Sequence, residues 1–466
     1  MRYVSDFIVK FYEKSPIWSR NIYSTAYGIL KKKKEKNKLS ESILKKLLET
    51  QWWDKDRLYE LQCERLKIIV SHSLKSVPYY RKLFCEYGLS EKSIQVPEDL
   101  KILPTLSKDT VRKQFYNLHS DEIDYKLVRR EVTSGTTGTP LTLYIDNLTF
   151  LYSRAVIKMH RLWAGYTGEQ WIGIFTGYRI IPIGKSNAPF WIKNYAGKQI
   201  HFSTYHLNKT NIISYYNALS ESKIEFLFGY PSSIGLLAKL FNEYLSKSIP
   251  LKGVFLGSEP IYTWQRESIK KAFHCNIYDY YGQTENIIMA PGCGYSENLH
   301  ICLEAGILEL NKIDNEKYNL IGTTILNKSM PLIRYELNDI TGGYVIEDCK
   351  CGRKHNQIKP IETKAEDFII TPTGNYISAS ILTFPFKTPE GILQSQIIQK
   401  EKNLIIVKVV TDEKFTQIEK NKLQFSLKQC VGAEMIIEFE YTDNIPRTLN
   451  GKYRFVINEL DKSFYL

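Results

Sequence analysis

The chain has 466 residues, 63 Lys and Arg against 50 Asp and Glu, a net charge of +13, and 43% hydrophobic residues. That length exceeds what one core usually holds and predicts two or more domains. The apolar content excludes a disordered chain. The positive balance admits nucleic acid, an anionic membrane surface or an anionic nucleotide as partner. Its basic residues are scattered among acidic ones, with one dense run at Lys31–Lys34 extended by Lys36 and Lys38, so nucleic acid is not expected.

Taken in chain order, no apolar run reaches the roughly 18 residues that span a bilayer, and the first residues lack a signal-peptide core. The expected localisation is cytoplasmic, with residues 1–40 as a candidate contact with the inner face of a membrane. Residues 7–30 mix Ile8, Val9, Phe11, Tyr12, Ile17, Trp18, Ile22, Tyr23, Tyr27 and Leu30 with sparse charge, and the lysine run follows. Such a segment rests on an anionic membrane or packs onto the main body, and the sequence leaves both open. Residues 1–120 read as a helical segment: Leu58, Leu61, Leu66, Ile69, Val70 and Leu74 recur at helical spacing. Pro78 stops that helix, and Ser107 is a good N-cap after Pro104.

Residues 121–362 read as an α/β core. Short apolar runs at Trp171–Phe175, Ile224–Gly229, Val254–Gly257, Ile277–Tyr281, Ile307–Leu310 and Leu320–Leu326 alternate with amphipathic stretches such as Ile234–Leu245 and Trp264–Phe273. That alternation predicts partly parallel sheets with helices. Residues 363–466 read as a small α+β module, with strands at Ile392–Gln399, Leu404–Val410 and Met435–Tyr441 and a helix at Phe415–Leu427.

Five segments carry candidate chemistry. Thr133-Ser134-Gly135-Thr136-Thr137-Gly138-Thr139-Pro140 packs five hydroxyls and two glycines into a few residues. It is either a plain polar turn or a cradle of N–H groups and hydroxyls for phosphate; the Gly-Lys-Ser/Thr ending of a Walker loop is absent. The others are Gly257-Ser258-Glu259, Tyr280-Tyr281-Gly282-Gln283-Thr284-Glu285, Arg334 to Asp339, and Pro446 to Arg454. In this order they resemble the adenylate-forming superfamily of acyl- and aryl-CoA synthetases. Residues 61–84 (LQCERLKIIVSHSLKSVPYYRKLF), 103–115 (LPTLSKDTVRKQF) and 228–233 (FGYPSS) narrow the resemblance to the phenylacetate–CoA ligase-like group and its capsular polysaccharide (CapK) branch.

The resemblance implies a large α/β domain with a mobile C-terminal lid. It also implies ATP-dependent activation of a carboxylic acid as acyl-adenylate, with transfer to CoA, an amino sugar or an amino acid in surface polysaccharide synthesis. Thr133–Gly138 would hold the ATP phosphates, Glu285 Mg²⁺, Thr284 the α-phosphate and Asp339 the ribose. Gly257, Ser258, Glu259, Tyr280, Tyr281, Gly282 and Gln283 would wall the adenine. Lys452 would be the catalytic cation stabilising charge in the transition state. The usual Gly-Arg hinge is replaced here by Thr363-Lys364, which keeps a charge but loses the guanidinium fork. Tyr230, Pro231 and Ser233 are candidates for the acyl pocket. A non-CoA acceptor, or a non-catalytic membrane-associated assembly protein, are the rival readings.

The eight cysteines of an intracellular enzyme should be reduced. Cys349-x-Cys351 and Cys293-x₆-His300 together offer a Cys₃His set of the kind that binds structural zinc, and the same resemblance supports it.

Overall fold

Pro78 does more than end a helix. In this computed structural model, which describes residues 15–35, 37–133, 141–178, 180–182, 184–245, 247–313, 316–362, 368–445 and 454–460, the helix Lys55–Ser76 stops just before it. Pro78 then takes the first position of the helix Pro78–Glu86, where no N–H is needed. Two further helices, Ile17–Glu35 and Lys38–Thr50, precede these. Ser107 caps Lys108–Lys113 by accepting from the Thr110 N–H. No helix among the described residues is long and apolar enough to cross a membrane.

Strands β1 (Arg129–Val132) and β2 (Thr142–Ile145) form an antiparallel hairpin. Six strands then build the main sheet: β3 (Ile172–Phe175), β4 (Trp191–Asn194), β5 (Gln199–Phe202), β6 (Phe226–Gly229), β7 (Gly253–Leu256) and β8 (Asn276–Tyr278), in the order β4-β5-β3-β6-β7-β8. All neighbours are parallel except the edge strand β4, which runs antiparallel to β5. Residues alternate between faces. Phe175, Ile200, Leu227, Val254 and Ile277 meet the helices Ile212–Glu221, Pro231–Leu240 and Thr263–Phe273 on one side. Ile172, Phe226, Phe255 and Tyr278 pack on the other, with Tyr166 just beyond the helix Asn147–Trp163. Burial on both faces is why these strands read as continuous apolar runs.

Two expectations need correction. The run Ile277–Tyr281 is not one strand: the chain breaks at Asp279, and β9 (Tyr280–Gly282) leaves the sheet to pair antiparallel with β10 (Met289–Pro291). The stretch Ile234–Leu245 is the end of Pro231–Leu240 followed by a wider turn, Phe241–Leu245.

Downstream, β11 (Leu299–His300) will join later strands, while β12 (Gly306–Lys312), β13 (Tyr318–Thr324) and β14 (Tyr335–Thr341) form a separate antiparallel sheet. Strands β15 (Tyr344–Val345) and β16 (Gln357–Ile358) complete a small sheet with β11. The helices Lys55–Ser76 and Pro78–Glu86 share a core with β12–β14: Leu58, Leu66, Val70, Tyr80 and Phe84 belong to one cluster with Leu320, Tyr335 and Leu337. Leu106 bonds to β14 through its N–H to Arg334 O at 2.8 Å and through its carbonyl to Glu336 N at 3.0 Å.

The C-terminal residues hold β17 (Phe368–Ile370) and β18 (Tyr376–Ser378) as a hairpin. Strands β19 (Ile392–Glu401), β20 (Leu404–Thr411), β21 (Ile436–Tyr441) and β22 (Val456–Asn458) form a sheet in the order β21-β20-β19-β22, with the helix Gln417–Val431 joining its apolar core. That core also takes in Tyr205, whose hydroxyl donates to Gly177 O at 2.8 Å.

One close approach sets the geometry at the end of β6. A Cβ on Gly229 would stand 2.2 Å from Phe175 O, a carbonyl that also accepts from Tyr230 N at 3.1 Å. The neighbour is main chain and cannot turn aside. Gly229→Val is expected to destabilise the protein by about 3 kcal/mol or more, seen as a lowered urea midpoint.

Candidate active site

Strands β3, β6, β7 and β8 end at one edge of the sheet, so the segments that follow them converge there although they are far apart in sequence. In open parallel sheets this carboxyl edge is where ligands bind. After β6, Tyr230 precedes Pro231, the first residue of its helix. Ser233 is buried, and its N–H returns to Tyr230 O at 3.0 Å. Tyr230 packs against the core of the C-terminal strands and helix, and burial raises its phenol above the usual range. After β7 come Gly257, Ser258 and Glu259. Glu259 Oε2 accepts from Ser232 N at 2.9 Å, so this carboxylate, expected at the adenine, caps the neighbouring helix and favours its N-terminal dipole.

The turn between β9 and β10 carries Gln283, Thr284 and Glu285. Gln283 fixes it twice, with its carbonyl accepting from Asn286 N at 3.0 Å and its side-chain oxygen from Ile288 N at 3.3 Å. Strand β14 supplies two partners. Tyr335 donates to the buried Glu285 Oε1 at 3.0 Å, and Tyr281 donates to Asp339 Oδ2 at 2.8 Å. Burial and the adjoining carboxylates push both phenols well above their ordinary range, so both stay protonated donors. Asp279, at the break before Tyr280, is raised to about 6 by burial, with Arg266 and the Tyr280 N–H opposing.

Ser258, Asn286, Arg334 and Asn338 have φ of 72°, 53°, 53° and 61°. Non-glycine residues rarely take this left-handed conformation, and all four lie in or directly beside the segments named from the sequence. Strain of this kind persists where surrounding contacts enforce it. At Arg334 the enforcement is a pair with Glu309: Nε lies 3.2 and 3.1 Å from the two carboxylate oxygens, and Nη2 3.0 Å from Oε1.

Thr133 is buried and closes the base of the hydroxyl loop: its N–H donates to Leu141 O at 2.9 Å and its Oγ1 accepts from Leu141 N at 3.0 Å. Ser134, Gly135, Thr136, Thr137 and Gly138, the hinge residue Lys364 and Lys452 all lie outside the described residues.

A second cluster lies where β10 ends. Donor atoms of Cys293, His300, Cys349 and Cys351 all fall within 4.8 Å of one another. Cys293 Sγ is 3.5 Å from Cys349 Sγ, and Cys351 Sγ 3.5 Å from His300 Nε2. A tetrahedral ion with metal–sulfur bonds of about 2.3 Å places its donors about 3.5–3.8 Å apart, so the set fits zinc. His300 stands on β11, and pairing of His300 with Gln357 on β16 brings it to the cysteine turn. That turn closes through Gly352 N to Cys349 O at 3.0 Å, with Gly352 at φ 82°. A hydrogen bond from the Cys293 thiol favours the thiolate of Cys351. All eight cysteines are free thiols.

Three comparisons bear on this architecture. Residues 369–459 match the CapK C-terminal domain. Over 453 residues the chain is 26% identical to Protein CapK of Staphylococcus aureus, covering 96% of this chain and 99% of that protein. It is 23% identical to a phenylacetate-coenzyme A ligase of Thermus thermophilus, covering 87% of this chain and 97% of that protein. A crystal structure of 2-hydroxyisobutyryl-CoA ligase, bound to 2-HIB-AMP and CoA in its thioesterification state, superposes with a TM-score of 0.55 at 18% identity, covering 87% of this chain and 91% of that one. The fold is that of adenylate-forming CoA ligases, a large α/β part followed by a small C-terminal one.

Several contacts here have no local sequence signal. Glu309 pairs with Arg334 across the β12–β14 sheet. Arg353, just past Cys351, stacks on Trp163 at 4.0 Å and Trp52 at 5.0 Å and donates to Gln51 Oε1 at 3.0 Å. The fully buried Glu304 accepts from Thr50 Oγ1 at 2.5 Å and faces His355 Nε2 at 3.3 Å, while its carbonyl accepts from Arg65. Burial alone would raise the Glu304 carboxyl, but His355 and Thr50 outweigh it and hold it at about 2. Its contribution to stability is therefore complete above the unfolded carboxyl value of about 4.3 and lost as pH falls from there towards 2. Glu304→Gln is expected to lower Tm at pH 7 and to flatten the decline of Tm between pH 5 and pH 3; a wild-type pH profile in the variant contradicts the assignment.

Proposed function

From a chain similar to CapK and to phenylacetate–CoA ligases over nearly its whole length, with the adenylate-forming fold, we propose an AMP-forming ligase that activates a carboxylic acid with ATP and passes the acyl group to CoA. The observation that carries this reading is the reciprocal pairing of the Glu285 turn with β14, Tyr335 to Glu285 and Tyr281 to Asp339, in a fold whose segments after β6 and β7 reach one sheet edge. The acid's carboxylate attacks the α-phosphorus of ATP, and pyrophosphate leaves; such transfers depend on positioning and charge neutralisation. Glu285, held by the Tyr335 hydroxyl, would be the Mg²⁺ ligand, and Mg²⁺ when bound neutralises phosphate charge. Asp339, held by Tyr281, would orient the ribose. The loop based on Thr133 would take the terminal phosphates, Lys452 would place a cation at the reacting α-phosphate, and the module beyond Lys364 would move between half-reactions.

The match of residues 369–459 to the CapK C-terminal domain supports a place in surface polysaccharide synthesis. Thr363-Lys364 in place of Gly-Arg favours a second reading, transfer to the amine of a sugar or amino acid. Product mass spectrometry with and without CoA separates the two.

A screen of carboxylic acids for ATP-dependent pyrophosphate release is expected to give one class of active acids. With that acid, Lys452→Ala and Glu285→Gln are each expected to lose about 100-fold or more in kcat. Full adenylation by Lys452→Ala overturns the mechanism.

The second cluster supports a structural zinc ion held by Cys293, His300, Cys349 and Cys351. Elemental analysis is expected to find one zinc per chain, absent from the Cys349→Ser/Cys351→Ser double variant, whose Tm should fall by about 5 °C or more. Metal-free protein whose Tm is indifferent to chelator contradicts the site.

A further inference from the structure

The helix Ile17–Glu35 is turned the wrong way round for a helix that packs on a protein core. Its inward face is polar. Asn21 Oδ1 accepts from Lys193 N at 2.8 Å, and Thr25 Oγ1 accepts from Tyr195 N at 3.2 Å. Arg20 is only 3% exposed and donates to Ile180 O at 3.5 Å. A Cβ on Gly28 would lie 2.4 Å from Asn194 Oδ1, so the helix and β4 touch closely there. These side chains satisfy outward N–H groups at the end of β4, the edge strand of the main sheet. Covering an edge in this way prevents it from pairing with another strand.

The outward face is apolar. Trp18, Ile22, Ile29 and Leu30 are 66%, 58%, 56% and 60% exposed, and Tyr23 52%. Steps of four and seven residues put Trp18, Ile22 and Ile29 in one line along the helix, and four residues further that line reaches Lys33, also exposed. Lys32 is exposed beside it. The helix carries no acidic residue before Glu35, its last.

We propose that this helix docks the protein on an anionic membrane surface, lying in the interface with Trp18, Ile22 and Ile29 among the acyl chains and Lys32 and Lys33 on the headgroup phosphates. Apolar and aromatic residues on one side with lysines at the end are what an interfacial helix presents to lipid. Charge complementarity selects the occupant. A second copy of the same face brings more lysines and no counter-charge, whereas anionic lipid supplies it. Because the inward contacts are hydrogen bonds to β4, the helix can hold the protein on the surface without unpacking. The inference is independent of the catalytic reading.

Flotation of the full-length protein with phosphatidylcholine vesicles, with and without phosphatidylglycerol, tests it. Binding is expected to the anionic vesicles only and to weaken with salt. Trp18→Ser/Ile22→Ser/Ile29→Ser and Lys32→Glu/Lys33→Glu are each expected to cut binding about tenfold or more while keeping the wild-type Tm. The proposal is overturned by wild-type protein that ignores anionic vesicles, or by a triple variant that binds as well as wild type. It is equally overturned if the triple variant melts several degrees lower, since this chain then covers the face itself. Self-association abolished by the triple variant, without vesicle binding, assigns the face to a second copy instead.

Discussion

Parallel pairing of β3, β6, β7 and β8 is the constraint on which the candidate active site depends. Buried backbone N–H and C=O groups must be paired, and a parallel ladder pairs them only if each strand runs the same way. Every strand therefore ends at the same edge, and the chain must travel back over a face of the sheet before the next begins. The helices Ile212–Glu221, Pro231–Leu240 and Thr263–Phe273 lie in those return paths, and their apolar sides bury one face. The approach of Tyr230 and Ser258, which follow β6 and β7, is thus a consequence of hydrogen-bond geometry. No contact between these residues is needed to bring them together.

What the sheet does not supply is fine placement, and here tyrosine hydroxyls and one ion pair take over. Glu285 and Asp339 arise on different sheets, and each is fixed by a phenol from the opposite one: Tyr335 of β14 holds Glu285, and Tyr281 of β9 holds Asp339. This reciprocal crossing locks the β9–β10 turn against β14. Both phenols titrate far above neutral pH, so the lock does not open with ordinary changes of acidity. The left-handed residues Asn286, Arg334 and Asn338 sit at the points where the crossing bends the chain. Each costs of order 1 kcal/mol or more, offset by largely buried contacts such as Arg334–Glu309.

The layout was legible from sequence where burial and spacing decide structure. Apolar runs gave β3, β6 and β7 almost to the residue, because strands buried on both faces must be apolar throughout. The helix Thr263–Phe273 and the Ser107 cap followed from local rules. Ile277–Tyr281 misled because the break at Asp279 combines a local bond, its carboxylate accepting from Tyr280 N at 2.8 Å, with a tertiary one, Asp279 O accepting from Gly292 N at 2.7 Å. The sequence left the pairing of the strands at 306–324 unassigned within a partly parallel core, and their short connection permits only the antiparallel pairing observed. At the candidate site, the motif pattern named Glu285, Asp339 and the four Cys/His residues. It could not name Tyr335 as the support of Glu285 or Glu309 as the partner of Arg334, since partners brought together by sheet crossing leave no spacing to read. Glu259 carries a contact the motif did not announce, its carboxylate accepting from Ser232 N at the neighbouring helix N-terminus.

The two clusters are mechanically joined. Strand β10 runs from the Glu285 turn to Pro291, and Cys293 stands two residues beyond it. Gly292 N is bonded to Asp279 O, and Cys302 N to Met289 O at 2.9 Å, so both ends of β10 are fixed from outside. The Cys/His set, Arg353 between two tryptophans, and the buried Glu304–His355 pair all lie on this side, tying the helices Lys38–Thr50 and Lys55–Ser76 to it. Breaking a buried pair by removing one partner typically costs 3–5 kcal/mol, which makes this region a rigid anchor. A metal held by Cys293 would fix the position of β10 and, through one short strand, of Glu285 at its far end. The turn proposed to meet the nucleotide is therefore braced from two sides, by the tyrosine crossing at its tip and by the Cys/His cluster at its base.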